Sequence, residues 1–468
     1  MKSLELQPTY ENLISTFNDD LLDRNQFLYR FIELLDAVED GCVIAIDNQW
    51  GSGKTFFVKQ AKLLVDSFNE YTNYVEDEDK KEIVDKWKRD HNGKEPEFKA
   101  QVTAYYDAWE YDNDDDPLLS IVYEIYKTVN NSYSVSSGPD CLKILGGLVD
   151  LITKKSLSTI LEGLCNGSNS LDSIDNNRDL RDEINKFFKE LLPEQGDRLI
   201  VFIDELDRCR PSYAVKLLER IKHYFNNENI TFVFSVNSIE LQNTIKQFYG
   251  QQFDACRYLD RFFDLRTSLP KPDLKYYLVN TKVLKSNYFI YDSVVKTAIE
   301  YFDFELREIT RFLLLIKIAA YGITHDGASG NRYYYLSEAQ KFCLCISPLV
   351  IGLKMKDTKQ YLEFISGNNP TPFLKIIGEL SDTIRIKELL ISYDETYYED
   401  DKDRKLVKYE ERLIEAYQAI FGEYRDKNEK KVVGQIIFTN ESIKIIEKVT
   451  SLLSEYAEFG SDGGTNNG

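Results

Sequence analysis

Histidine is the scarcest reactive side chain in this sequence, with three in 468 residues, beside two methionines and three tryptophans. Three imidazoles and seven thiols leave little for metal chemistry, and no His/Ser/Cys triad is evident among them. Cysteines stand at 42, 141, 165, 209, 256, 343 and 345, without paired Cys-x-x-Cys sets. Scattered thiols of this kind fit a reducing compartment, so a cytoplasmic chain is expected, and Cys343 and Cys345 read as small buried residues. No basic–apolar–small leader opens the chain, and no run of about 20 apolar residues crosses a bilayer. Phe312–Tyr321 is broken by Lys317 and Phe342–Leu353 is too short. Leu142–Leu164 carries Lys143, Asp150, Lys154, Lys155 and Glu162, and reads as amphipathic helix. Positive charge is short as well: 58 Lys and Arg face 78 Asp and Glu, a net −20. That balance argues against non-specific nucleic-acid binding, which needs Lys and Arg to displace phosphate counterions, although a local basic groove is compatible with it.

What is present is an ordinary globular composition, 43% apolar and 29% charged, long enough for two to four packed units. Leu22, Phe27, Phe31, Leu34 and Leu35 give Asp19–Glu39 helical periodicity, with Asp23 read as a helix N-cap. Apolar strands follow at 42–46, 101–106, 199–203 and 230–236, with a fifth at 263–269, and helical segments separate them. Alternation of this kind predicts an α/β fold with a parallel sheet flanked by helices. Insertions are expected at about 76–100 and 130–178. The core then spans 1–272, a helical C-terminal lid domain 273–459, and a disordered tail 460–468.

Three strand tips carry chemistry. Asn48-Gln-Trp-Gly-Ser-Gly-Lys-Thr55 departs from the Walker A pattern GxxxxGK[ST] only at its first position. Asn tolerates the left-handed backbone a glycine would give there. Gly51 and Gly53 let backbone N–H groups approach phosphate oxygens at the positive end of the next helix. The whole segment from Asn48 through Gln49, Trp50, Gly51, Ser52, Gly53, Lys54 and Thr55 to Phe56 is therefore the expected cradle for a nucleotide's phosphates. Lys54 reaches the β- and γ-phosphates, and Thr55 ligates Mg²⁺. The second strand tip, Leu199-Ile-Val-Phe-Ile-Asp204-Glu205, has the form of a Walker B element. There Asp204 holds Mg²⁺ and Glu205 polarises the attacking water. At the third, Asn237 ends the next strand and is placed to sense a γ-phosphate.

These pieces together resemble the KAP P-loop NTPases of the STAND and AAA-like ATPases. Trp50-Gly-Ser-Gly-Lys-Thr55 resembles that family's WGSGK[ST] loop, and Tyr106-Asp-Ala-Trp109 its F-N-A-W segment. Asp116-Pro-Leu118 is similar to the stretch that follows. Ile203-Asp-Glu-Leu-Asp-Arg-Cys-Arg-Pro211 is close to its extended Walker B. Tyr258-Leu259 with Leu269-Pro270, and Leu306-Arg-Glu-Ile-Thr-Arg-Phe-Leu313, match later motifs in the same order. The resemblance implies an ATPase. Many members of that family insert membrane helices between the Walker motifs, whereas Leu142–Leu164 in that region is too charged to span, so a soluble member is expected. The same resemblance makes Arg307 a lid arginine able to touch the γ-phosphate, and Arg257 or Arg261 a finger toward a neighbouring subunit or, equally, a surface salt bridge. Asp207 and Arg208 are expected to brace the Walker B loop, and Trp50 and Trp109 to pack.

The expected function is Mg²⁺-dependent ATP hydrolysis that drives an oligomerising switch, which regulates a separate protein effector, with antiphage defence as the setting the resemblance suggests. A nucleic-acid motor and an ATP-binding scaffold without turnover are the alternatives. Lys54, Glu205, Asn237 and Arg307 are the expected catalytic set. Tyr333–Tyr335 and Tyr393–Asp403 are candidate partner surfaces.

Overall fold

The computed structural model describes residues 7–133, 143–149, 152, 170–191, 196, 198–225, 229–273, 277–278, 289–324, 336–380, 384–398, 404–422 and 429–451. Most of the 142–164 segment, Tyr333–Tyr335 and the 460–468 tail lie outside these residues.

Five parallel strands form the central sheet: β1 (Cys42–Asp47), β2 (Gln101–Asp107), β3 (Arg198–Asp204), β4 (Ile230–Val236) and β5 (Leu265–Thr267). Their spatial order is β2-β3-β4-β1-β5. Every residue of β3 and β4 is buried, as expected where helices cover both faces of a parallel sheet. Ile44, Ile46, Phe202 and Val233 pack on one face beneath α1 (Tyr10–Asp19), α2 (Asn25–Ala37), α3 (Lys54–Phe68) and α4 (Asp77–Asp90). Val201, Ile203, Phe232 and Phe234 face the other side, beneath α5 (Pro117–Ser132), α6 (Ser170–Leu191) and α7 (Pro211–Tyr224). α8 (Ser238–Tyr249) and α9 (Ala255–Leu259) complete that layer.

Two local readings change. The 19–39 segment is not one helix: α1 ends at Asp19, and Asp20 and Asp23 take positive φ in the turn before α2. Asp20, rather than Asp23, accepts the Arg24 and Asn25 amides at 3.0 and 3.1 Å, so it supplies the carboxylate at that helix start. Polar residues from Ser170 onward join α6 instead of forming a loop.

By contact the chain divides into two units, within residues 6–281 and 282–468. The second holds α10 (Phe289–Phe302), α11 (Leu306–Thr324) and a central helix α12 (Glu338–Lys356). A Ser337–Gln340 capping box starts α12, and it buries Cys343 and Cys345 as expected. Short helices follow: α13 (Thr358–Ile365), α14 (Thr371–Gly378), α15 (Ile384–Leu389), α16 (Tyr409–Phe421) and α17 (Asn440–Ser451). The unit is not wholly helical. A parallel pair, β6 (Glu395–Thr396) with β7 (Lys405–Leu406), and a hairpin, β8 (Lys431–Val433) with β9 (Ile436–Phe438), interrupt it. Gly434 turns the hairpin at φ 58°, between two β-branched runs that signal strands.

Candidate nucleotide-binding site

β1 feeds directly into the loop 48–53, and α3 begins at Lys54. Gly51 and Gly53 take φ of 85° and 92°, values a side chain would strain, which is why glycine stands at both. Asn48 has no positive φ, so its tolerance of left-handed backbone is not what the first position uses. Its amide grips the segment after β5 instead. Asn48 Oδ1 accepts the Leu269 N–H at 2.6 Å, and Nδ2 donates to the Leu269 carbonyl at 3.4 Å. A glycine could make neither bond. Buried Arg24 adds a second brace: Nη1 donates to the Ser52 carbonyl at 2.9 Å, while Nε and Nη2 donate to Pro270 O. Lys54 Nζ donates to the carbonyls of Asn48 at 2.6 Å and Gln49 at 3.0 Å. Burial lowers the Lys54 pKa, opposed by the charges of Asp207, Asp204, Glu205 and Asp47. The Ser52 hydroxyl is buried with no hydrogen-bond partner.

Across β4 from this loop stands the tip of β3. Asp204 Oδ2 accepts from Tyr105 Oη at 3.0 Å, and Oδ1 accepts the Glu205 amide at 3.0 Å. Glu205 sits in left-handed backbone (φ 61°), and its Oε2 lies 2.5 Å from Arg208 Nε. Burial, then the Asp204 charge, push the Glu205 pKa up to about 7, against the pull of Arg208. Asp207 accepts from the Trp50 indole N–H, which ties the two loops together. Trp50 and Trp109 are not packed inside: they are 44% and 55% exposed, with the Arg208 guanidinium near both rings.

The third strand tip behaves differently from the expectation of a free sensor. Asn237 Oδ1 accepts from Ile239 N at 3.2 Å and caps α8. Arg307 lies exposed in the first turn of α11, within the second unit, and Arg257 and Arg261 are exposed on and just after α9. Sequence reasoning missed Arg24 and Tyr105. Tyr105 carried a usable signal, since β2 pairs in register with β3 and runs to the same end of the sheet. Arg24 carried none, because its partners are main-chain carbonyls far along the chain.

The described geometry joins a glycine-bearing loop, its lysine and, across β4, an acid-ended strand at one end of a parallel sheet. The profile of the KAP family P-loop domain matches residues 24–321, well over half of the chain. The chain belongs to the KAP family of P-loop NTPases. Among solved structures it is similar to the Aeropyrum pernix ORC2 protein in ADPNP–ADP complexes, at 10% identity and TM-score 0.31, over 92% of this chain and 95% of that one. It is also similar to Drosophila ORC bound to DNA (12% identity, TM-score 0.31, 89% and 95% covered). C. elegans PCH-2 follows at 10% identity and TM-score 0.20, with 95% and 71% covered. No curated protein matches the chain.

The structure gives physical jobs to the motif residues of this KAP chain outside the loop itself. Asp107 accepts the Trp109 and Glu110 amides and shapes the turn after β2. Asp116 caps α5 through the Leu118 amide and pairs with Arg220 at 2.5 Å. Tyr106, inside the second strand motif, hydrogen-bonds Ser120 and Tyr213, locking α5 and α7 to β2. Arg210 holds Asp112, and Pro211 starts α7 where a missing N–H costs nothing.

Proposed function

We propose that this KAP-family chain binds ATP with Mg²⁺, hydrolyses its β–γ anhydride, and acts as a nucleotide-driven switch that self-associates and regulates a separate effector. The observation that carries the proposal is the meeting of Lys54, Asp204 and Glu205 at strand ends on either side of β4, close enough for both carboxylate charges to act on Lys54. The donor set fits the ion: Thr55 offers a hydroxyl and Asp204 a hydrogen-bonded carboxylate, the hard oxygens Mg²⁺ prefers. When bound, the ion supplies neutralisation of phosphate charge. The orphan Ser52 hydroxyl and the two positive-φ glycines suit a loop whose polar groups meet phosphate oxygens.

In this reading Lys54 moves from its own loop carbonyls to the β- and γ-phosphates. Glu205 orients a water and takes its proton. With a pKa near 7 it is a competent base at neutral pH. Asn237 orients α8 beneath the γ-phosphate, and Arg307 is a further proposed catalytic cation. Positioning and electrostatics, rather than covalent chemistry, then carry the rate. The switch, its effector and a role in antiphage defence rest on the habits of the family.

Turnover of Mg²⁺-ATP, measured beside light scattering with and without ATP, tests this. Wild type should hydrolyse, Lys54→Ala should not, and Glu205→Gln should hold ATP and accumulate a larger assembly. Binding without turnover in the wild type would leave a scaffold. Turnover with no change in mass would remove the self-association.

A further inference from the structure

Glu205 is held in an unusual posture. Left-handed backbone is strained for a residue with a Cβ, and Glu205 adopts it at the end of β3. Its Oε2 meets Arg208 Nε at 2.5 Å, and its carbonyl accepts the Arg208 amide at 3.1 Å. The guanidinium is itself gripped. Its carbon lies 5.8 Å from the Trp50 ring centroid and 5.7 Å from that of Trp109, both within cation–π range. Trp50 belongs to the phosphate loop, and its indole N–H is anchored on Asp207. Two half-exposed tryptophans from different loops thus converge on one arginine, and that arginine occupies the carboxylate expected to accept a proton from water.

We propose that Arg208 is a positioning residue that holds Glu205 in a resting orientation, with Trp50 and Trp109 as its clamp. This rests on the reading of Glu205 as general base. An oxygen engaged by a guanidinium has a lone pair committed. Releasing Arg208 therefore frees that oxygen to meet a water. The charged groups facing Glu205 are Asp107, Asp204 and Asp207 as anions, and Arg208 and Lys54 as cations. The clamp is built partly from the loop that would hold the phosphates, so a shift of Trp50 is a direct route to release.

The test compares wild type, Arg208→Gln, Arg208→Lys and Glu205→Gln by kcat and kcat/KM from pH 5.5 to 9.5. A fluorescent ATP analogue gives nucleotide affinity and tryptophan emission reports the clamp. Arg208→Gln should raise the plateau kcat about three- to tenfold, the net worth of one ordinary, partly exposed hydrogen bond. Nucleotide affinity should stay within about twofold, and tryptophan emission should change. Arg208→Lys should stay near wild type. A plateau at or below wild type, with nucleotide affinity intact, overturns the gate. So does a pair of chains, wild type and Arg208→Gln, that both bind ATP and both fail to turn it over. If Glu205→Gln hydrolyses as fast as wild type, the general-base reading itself falls and takes the gate with it. Glu205-dependent turnover that Arg208→Gln leaves unraised overturns the gate alone.

Discussion

The loop after β1 and the loop after β3 flank β4, and they satisfy their charges in different ways. In the first, the Lys54 ammonium is met by two carbonyls of its own loop, and the loop is pinned from outside by Arg24 and Asn48. None of those contacts involves an acid. In the second, Asp204, Glu205 and Asp207 crowd together, and burial raises the pKa of Glu205 and Asp207 alike. Backbone-anchored charge is indifferent to pH near neutrality, whereas crowded carboxylates are not. The phosphate side should therefore fail through lost contacts, and the acid side through protonation.

Lys54→Ala is the largest break. It removes the cation that faces both loops, and turnover should fall by about 10²–10³ or more, read as steady-state phosphate release. The nearby acids lose a positive neighbour, so Asp207 should bind its proton more tightly still. A variant retaining a tenth of wild-type turnover would sink the assignment of Lys54 to the phosphates.

Arg24→Ala tests whether the phosphate loop depends on its outside brace. Three hydrogen bonds vanish, leaving the Ser52 and Pro270 carbonyls without that donor. Charge-assisted bonds of this kind are worth about 1.5–3 kcal/mol, so a loss of about 3 kcal/mol is expected in denaturant unfolding, with weaker nucleotide binding. Unchanged binding alongside that loss would show that the loop keeps its form without the brace.

On the acid side the sign can be worked out. The folded pKa of Glu205 lies near 7, above the ordinary 4.5, so the native chain holds this proton more tightly than the unfolded one. Stability then declines as pH rises from about 4.5 to about 7 and stays reduced above that. Glu205→Gln removes the effect. It should stabilise by about 2 kcal/mol at pH 8, once solvent screening of a partly exposed group is allowed for, and by nothing at pH 4. Equal melting shifts at both pH values would show that the carboxylate is not held out of its usual range.

The sheet and the three strand tips were legible because parallel strands covered on both faces must be apolar throughout, and their ends must be loops. Gly51, Gly53, Lys54, Asp204 and Glu205 then stand out against that background. The grip of Arg24 was not legible, since a guanidinium bonding carbonyls leaves no pattern in residue types. Trp50 and Trp109 misled for a related reason: aromatic residues beside buried strands usually pack inward, but these two lie past the strand ends and close on an arginine. In the second unit, Val432, Val433, Ile436 and Ile437 around Gly434 did signal a hairpin, though helical periodicity on either side masked it.

Asn48→Gly is the smallest effect and the sharpest test of how the phosphate loop is held. Glycine restores the usual first residue of the motif but loses the bonds to Leu269 N and O. The Leu269 amide loses its acceptor, and the loop gains backbone freedom in the unfolded chain, together about 1–2 kcal/mol. For a unit of this size the melting temperature should fall by about 2–6 °C. Asn48→Asp keeps the acceptor for the Leu269 amide and should lose about half as much. Because the Asn48 side chain bonds the Leu269 backbone and no carboxylate, the pH profile of turnover should keep its acid limb in Asn48→Gly. A limb that moved would mean the two loops share more than Trp50, and that the backbone-anchored side is not independent of the carboxylates across β4.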